Sequence, residues 1–318
     1  MDRLESRLEG VLSERESLKQ YVEENIYKVT VGDALPQDGP VAMIIGGQNA
    51  SGKSSLSRQF VKAFEITGSG IVVIEGDALR RHHPKFQEYN TQDDKMMAVY
   101  TAKDAGRWTN RLIDDVSQEK YNLLLETTLR NPQTVTDTVE RLSCAGYDIQ
   151  IKAFVVSYDK SLVGSYHRYE CMKAESGAGR FVHDNALKAA YNGMPETLRA
   201  LQIQNKCSSI HLYTREGVLF NGDYRQADIV RMVRQERIRE YRPDEIKKLK
   251  DDWREVGSMM LKRNAGHKEY IEISARMKER IKTMSVEGAP GKNIETMCDI
   301  YRNFNNQISR DQNRGMKI

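Results

Sequence analysis

The chain has 318 residues, 39% hydrophobic and 30% charged, and its 49 Lys and Arg against 45 Asp and Glu leave a net charge of +4. That is enough apolar material for one large α/β domain or two smaller ones, and 7 Pro with 22 Gly exclude collagen-like and low-complexity classes. No apolar run nears the roughly 18 residues of a membrane span, the charged start MDRLESRLEGVLSERE has no signal-like stretch, and the four cysteines (Cys144, Cys171, Cys207, Cys298) make no CxxC pair, so a cytoplasmic protein with reduced thiols is expected, not a disulfide or zinc scaffold.

In residues 3–27, Leu4, Leu8, Val11, Leu18 and Val22 recur at helical spacing and predict an amphipathic helix. VGDALPQDGP (31–40) follows as a turn-rich connector. Five short apolar runs then read as strands: VAMII (41–45), IVVIE (71–75), NLLLE (122–126), IQIKAFVVS (149–157) and SSIHLYT (208–214). Helical stretches over about 53–66, 91–119, 132–145 and 159–175 separate them, and REGVLFNG (215–222) reads as a turn with a short extension. Strands alternating with helices specify a parallel sheet covered on both faces, and near-continuous apolar strands are what such a sheet requires. From about 226 the pattern is helical and polar, punctuated by Pro243 and by EGAPGKN (287–293). The expected organisation is an N-terminal helix and connector (1–40), an α/β core (41–225) and a helical C-terminal extension (226–318).

Charge is uneven. Residues 231–318 hold 21 Lys and Arg against 14 Asp and Glu, a local excess of +7. A basic tail can follow phosphates, but here the signs alternate (ERIRE, DEIKKLKDDWRE), as on solvated helix faces. Neither an aromatic-rich basic stripe nor a zinc-finger spacing accompanies it, which argues against a nucleic-acid partner.

The loop Gly47-Gln48-Asn49-Ala50-Ser51-Gly52-Lys53-Ser54, followed by Ser55, fits GxxxxGK[ST] and lies between a predicted strand and a predicted helix, the context a P-loop requires. The glycines let successive N–H groups converge on a phosphate, and the helix adds the positive end of its dipole. Lys53 supplies a point charge for the β- and γ-phosphates, and the Ser54 hydroxyl can ligate Mg²⁺. A nucleoside triphosphate, ATP with Mg²⁺, is the expected ligand.

Asp77, in VVIEGDALRRHHP, follows the second strand at the edge where α/β ligands bind. It reads either as the base that takes an acceptor hydroxyl's proton or as an N-cap for ALRRHH. Glu126 ends the third strand in NLLLETTLRNP, with Thr128 and Arg130 just beyond. It can hold Mg²⁺ through water, prime a hydrolytic water or accept from a polyol; the alternative is a loop carboxylate paired with Arg130. Downstream, Arg168 and Arg180 flank Ser176-Gly177-Ala178-Gly179, an arrangement suited to a lid closing over phosphates, or Arg168 is simply surface charge. His82 and His83 read as helix surface, without a third metal ligand.

Six stretches, GGQNASGKSSL (46–56), VVIEGDALRRHHPKF (72–86), YNLLLETTLR (121–130), HRYE (167–170), GRFVHDNA (179–186) and IHLYTREG (210–217), resemble the zeta-toxin family of toxin–antitoxin kinases, in its order and roughly its spacing. The resemblance implies a P-loop kinase-like doubly wound α/β fold over about 40–225. It makes Lys53 and Ser54 the ATP and Mg²⁺ ligands, Asp77 the base, Glu126 and Thr128 part of the acceptor site, and Arg168 and Arg180 clamps on the γ-phosphate. It implies phosphorylation of UDP-N-acetylglucosamine at the sugar 3′-hydroxyl, and a small antitoxin protein covering the ATP site. Ala50 stands where the family commonly has glycine, and Ser54 where it has threonine. A P-loop ATPase or switch, and a kinase of another hydroxyl metabolite, are the competing functions. The N-terminal helix reads as scaffold or as a built-in cover of the nucleotide crevice.

Overall fold

A computed structural model describes residues 11–286, 288 and 290–315. They pack into two compact units, one of the chain up to Val156 with Arg180–Val233, the other of Ser157–Gly179 with the chain from Arg234 onward.

The first unit is built on a six-stranded sheet in the order β2-β3-β1-β4-β5-β6. Its strands are β1 (Val41–Gly47), β2 (Val72–Glu75), β3 (Leu123–Thr127), β4 (Asp148–Phe154), β5 (Ser209–Tyr213) and β6 (Val218–Phe220). Neighbours are parallel except β6, which returns antiparallel on β5 through the REG turn. Alternation along each strand sends side chains to two faces. On one face Met43, Ile45, Leu124 and Phe154 meet Leu56, Phe60, Val61 and Phe64 of α3 (Lys53–Ile66). On the other, Ala42, Ile44, Val72, Ile74, Leu123 and Leu125 lie in one buried cluster with residues of α7 (Ala102–Gln118), α8 (Pro132–Cys144) and α10 (Asp184–Gln204). This is the doubly covered α/β sheet that the apolar strands specify.

Four local expectations change. The N-terminal helix is present as α1 (Glu14–Glu23), opened by a Ser13–Glu16 capping box and followed by α2 (Ile26–Val31). It docks through Ser17 and Tyr21, while Leu18 and Val22 are exposed; Leu4 and Leu8 lie outside the described residues. Directional bonds decide the docked face: Trp108 donates to the Ser17 carbonyl (2.9 Å) and Tyr21 to Asp115 (2.8 Å). The helix is therefore scaffold against α7. Second, 91–119 is not one helix but α5 (Phe86–Gln92), α6 (Asp94–Tyr100) and α7. Asp93 breaks the run with an extended backbone and caps Lys95 N–H at 3.1 Å. Third, α10, a 21-residue helix with Pro195 inside it, lies outside the expected helical stretches. Fourth, His83 is buried and not helix surface.

The second unit pairs α9 (Tyr158–Ser176) with α12 (Pro243–Lys262), and adds α13 (His267–Val286) and α14 (Gly291–Gly315); α11 (Ile229–Ile238) precedes them. Residues 287 and 289 of the expected EGAPGKN turn lie outside the described residues. Trp253 packs between Tyr166 (5.9 Å, tilted) and Phe304 (6.0 Å, edge-on). The three buried charged side chains of α9 are each answered: Asp159 by Arg280 (3.0 Å), Lys160 by Glu245 (2.5 Å), and Glu170 by both arms of Arg263 (2.7 and 2.9 Å). Burial alone would raise the Glu245 carboxyl, but donors from Arg239, Lys160 and Arg242 hold it well below the usual carboxylate range. Among the described residues no helix is long and apolar enough to cross a membrane.

Candidate functional site

β1 delivers the chain into the loop 47–52, and α3 begins at Lys53. Gly47 has φ 154, and a Cβ there would come within 2.9 Å of both the Phe154 Cβ and the Ser51 hydroxyl. Only glycine allows the backbone to turn that close to β4. Ala50 sits in the left-handed region (φ 55), which disfavours a residue carrying a Cβ by about 1–2 kcal/mol. Gly52, also at positive φ, ends the loop, and no side chain caps α3. The first N–H groups of that helix have no intrahelical acceptor, and the buried Ser51 hydroxyl has no partner among the described residues. The Lys53 ammonium folds over the loop, donating to the carbonyls of Gly47 and Gln48, both at 2.8 Å. Gln48 is buried, Asn49 half-buried, and Ser54 and Ser55 exposed on the first turn. An uncapped helix start, a lysine and an orphaned hydroxyl suit an anion, so the loop fits a triphosphate.

Parallel pairing brings three strand ends to one edge: Gly46 lies opposite Thr127, Ile45 opposite Glu126, and Glu126 opposite Glu75. Asp77 follows in the four-residue helix α4 (Gly76–Leu79). The cap position belongs to Glu75, so Asp77 is not an N-cap. Its carboxylate, 36% exposed, accepts from Arg80 Nε at 3.0 Å and pairs with Arg180, whose side chain is 10% exposed. Arg80 is in turn fixed by the Ala98 carbonyl (2.6 Å) and Thr101 (3.0 Å). Glu126 is not paired with Arg130; it accepts from Ser57, one turn into α3, which ties it to the phosphate helix. Arg130 is exposed and Thr128 half-buried. The loop bearing them is held by Thr197, which donates to the Leu129 carbonyl at 2.7 Å. A Cβ on Gly193 would overlap the Arg130 carbonyl, so α10 carries glycine where that loop crosses it.

The segment after Asp77 is anchored in the core. Lys85 N–H donates to His83 Nδ1 (3.2 Å), and His83 Nε2 faces Asp104 at 3.6 Å with both side chains buried. Burial alone would raise the Asp104 carboxyl, but His83, the Leu12 N–H and Arg107 hold it below its ordinary value. Gln20 of α1 donates to the His82 carbonyl at 2.8 Å. The N-terminal helix thus braces the chain just past Asp77.

Arg168 lies exposed on α9, in the second unit. In the first unit the structure brings Arg180 to Asp77 and Glu126 to the phosphate helix. Sequence reasoning missed Arg80, Ser57 and Arg215. The first two carried a signal, since Arg80 lies three residues from Asp77 and Ser57 four from Lys53, both one helical turn. Arg215 carried none; its Nη2 donates to the Ala50 carbonyl at 2.7 Å.

The Zeta toxin family model matches residues 28–225. The Toxin zeta of Enterococcus hirae is 31% identical over 182 residues, 57% of this chain and 63% of that protein, so the match spans less than two thirds of the relative. Among solved structures, a chain of the PezAT chromosomal toxin–antitoxin system of Streptococcus pneumoniae superposes with TM-score 0.66 at 21% identity, over 79% of this chain and 98% of the other. AvrRxo1-ORF1:-ORF2 with ATP shares the fold at TM-score 0.51 and 11% identity, over 74% and 79%.

Proposed function

The chain belongs to the zeta-toxin family, whose model covers more than half of it, and from that premise we propose that it is an ATP-dependent phosphotransferase acting on a sugar hydroxyl of UDP-N-acetylglucosamine or a related nucleotide sugar. The reading is carried by Asp77, a part-exposed carboxylate two residues beyond the end of β2, whose last residue, Glu75, lies level with Glu126 and Ile45 at the edge where β1 enters the P-loop, and flanked by Arg80 and Arg180. A carboxylate so placed accepts the proton of an acceptor hydroxyl as that oxygen bonds to the γ-phosphorus and the bond to the ADP oxygen breaks. The loop amides, Lys53 and Ser55 bind the triphosphate; a Mg²⁺ held by Ser54 would neutralise charge on the β- and γ-phosphates. With five N–H donors in a fork, the Arg180 guanidinium can hold Asp77 and stabilise charge on the phosphoryl group together. Arg168 is assigned to that charge by the family resemblance alone, as are Glu126, Thr128 and Arg130 to the acceptor.

The same premise supports a small antitoxin that covers the nucleotide site, since one solved neighbour comes from a toxin–antitoxin system. The functional core is proposed to run over 41–225 with 226–318 as an extension, and the cytoplasm as its compartment is consistent with four unpaired cysteines. The test is incubation with ATP, Mg²⁺ and a panel of UDP-sugars, read by mass spectrometry. A gain of one phosphoryl group on a UDP-sugar is expected. Release of inorganic phosphate with no phosphorylated acceptor would instead favour an ATPase in which Glu126 primes water.

A further inference from the structure

The turn after β5 is closed by its own hydrogen bonds and reaches back to the phosphate loop. Tyr213 stacks on Phe154 (5.7 Å, 27° between planes), and Phe154 lies against Gly47 and Gly52. Beyond Tyr213, Thr214 N–H donates to the Gly217 carbonyl (2.8 Å) and Glu216 N–H to the Thr214 hydroxyl (3.2 Å), closing a compact turn. Arg215 projects from it. Its stem runs past Gly52, with Cγ 3.9 Å from where a Cβ would stand, and its Nη2 donates to the Ala50 carbonyl at 2.7 Å. Ala50 is the one P-loop residue that carries a Cβ in the left-handed region, so this hydrogen bond falls on the peptide the loop has most difficulty holding.

We propose that Arg215 is a positioning residue of the phosphate loop: it holds Ala50 in the left-handed conformation, keeps the loop in its anion-binding shape before any ligand arrives, and thereby sets ATP affinity. This rests on the reading of the loop as an ATP site. Apparent affinity falls in proportion to the fraction of molecules in the competent shape. The left-handed bias at an alanine corresponds to a shift of about tenfold in that fraction, whereas glycine adopts the same φ freely.

The experiment is a double-mutant cycle on the full chain with Arg215→Ala and Ala50→Gly. ATP dissociation constants are measured by calorimetry, and amide hydrogen exchange over residues 48–52 is measured without ligand. Arg215→Ala should weaken ATP about tenfold and speed exchange in the loop. In the Ala50→Gly background the same change should weaken ATP by less than about threefold, and Arg215→Lys, which keeps a donor, should recover part of the loss. Equal losses in both backgrounds would overturn the proposal, because Arg215 would then act on the nucleotide directly. Unchanged affinity and exchange would overturn it as well. A wild-type chain that binds no ATP overturns the nucleotide reading and the claim on affinity, while faster exchange in Arg215→Ala still supports the ordering of the loop by Arg215.

Discussion

Asp77→Asn removes one charge and the proton-accepting oxygen while keeping the side chain's shape, and the structure sets limits on everything else it changes. The carboxylate binds Arg80 at 3.0 Å and pairs with Arg180, at 36% exposure. Ion pairs that open to solvent contribute about 0–1 kcal/mol each, and asparagine retains one acceptor oxygen for them, so unfolding free energy should fall by no more than about 1–2 kcal/mol. Asp77 lies outside the phosphate loop and brings negative charge, so its loss should leave ATP affinity equal or slightly tighter. The phosphoryl transfer rate should drop about 100- to 10,000-fold, the range for a positioned general base, which is roughly 2.7–5.4 kcal/mol of barrier. Single-turnover transfer to UDP-N-acetylglucosamine, ATP calorimetry and thermal unfolding on the same preparation separate the three effects. Transfer within about tenfold of wild type would refute the assignment, as would a loss matched by an equal loss of ATP affinity.

Arg263→Met leaves the Glu170 carboxylate, 1% exposed, without the bidentate partner that holds it at 2.7 and 2.9 Å. A stranded buried charge costs about 3–5 kcal/mol; the urea midpoint should fall accordingly, and adding Glu170→Gln should return most of it. The Asp104 carboxyl is held below its ordinary value in the folded chain, so between the folded and unfolded values the unfolded state binds more protons. Its contribution is complete above about pH 4 and is lost as pH falls further. Asp104→Asn should be less stable at pH 7 yet show a shallower fall in urea midpoint toward pH 3.

Much of the fold could be read from local pattern because the pattern and the packing share one cause. Strands buried on both faces must be apolar throughout, and those five runs are strands in the structure. The helix after the P-loop spans Lys53–Ile66, as its periodicity predicts. Local pattern failed where a long-range contact overrode it. The helix α10, which holds Gly193 and Pro195, is absent from the helical stretches that the pattern predicts, and its Gly193 admits the Arg130 carbonyl. The stripe of Leu18 and Val22 pointed to one face of α1, but hydrogen bonds from Trp108 and to Asp115 fix another. Hydrophobic periodicity carries no information about which partner a polar atom will find.

The same division runs through the candidate site. The residues proposed to carry the chemistry, Lys53, Asp77 and Glu126, could be read from sequence because each lies at or beyond a strand end, and strand ends in a parallel sheet converge on one edge whatever the helices between them do. Residues that hold them depend on pairings across the fold. Ser57 meets Glu126 only because β1 and β3 are adjacent and in register, and Arg215 meets Ala50 only because β5 lies beyond β4. Arg180 reaches Asp77 across a separation of about a hundred residues that no spacing rule covers. Substitutions in the first group should remove the reaction. Those in the second should shift affinity or geometry by amounts that a compensating change elsewhere can restore, since what they supply is position.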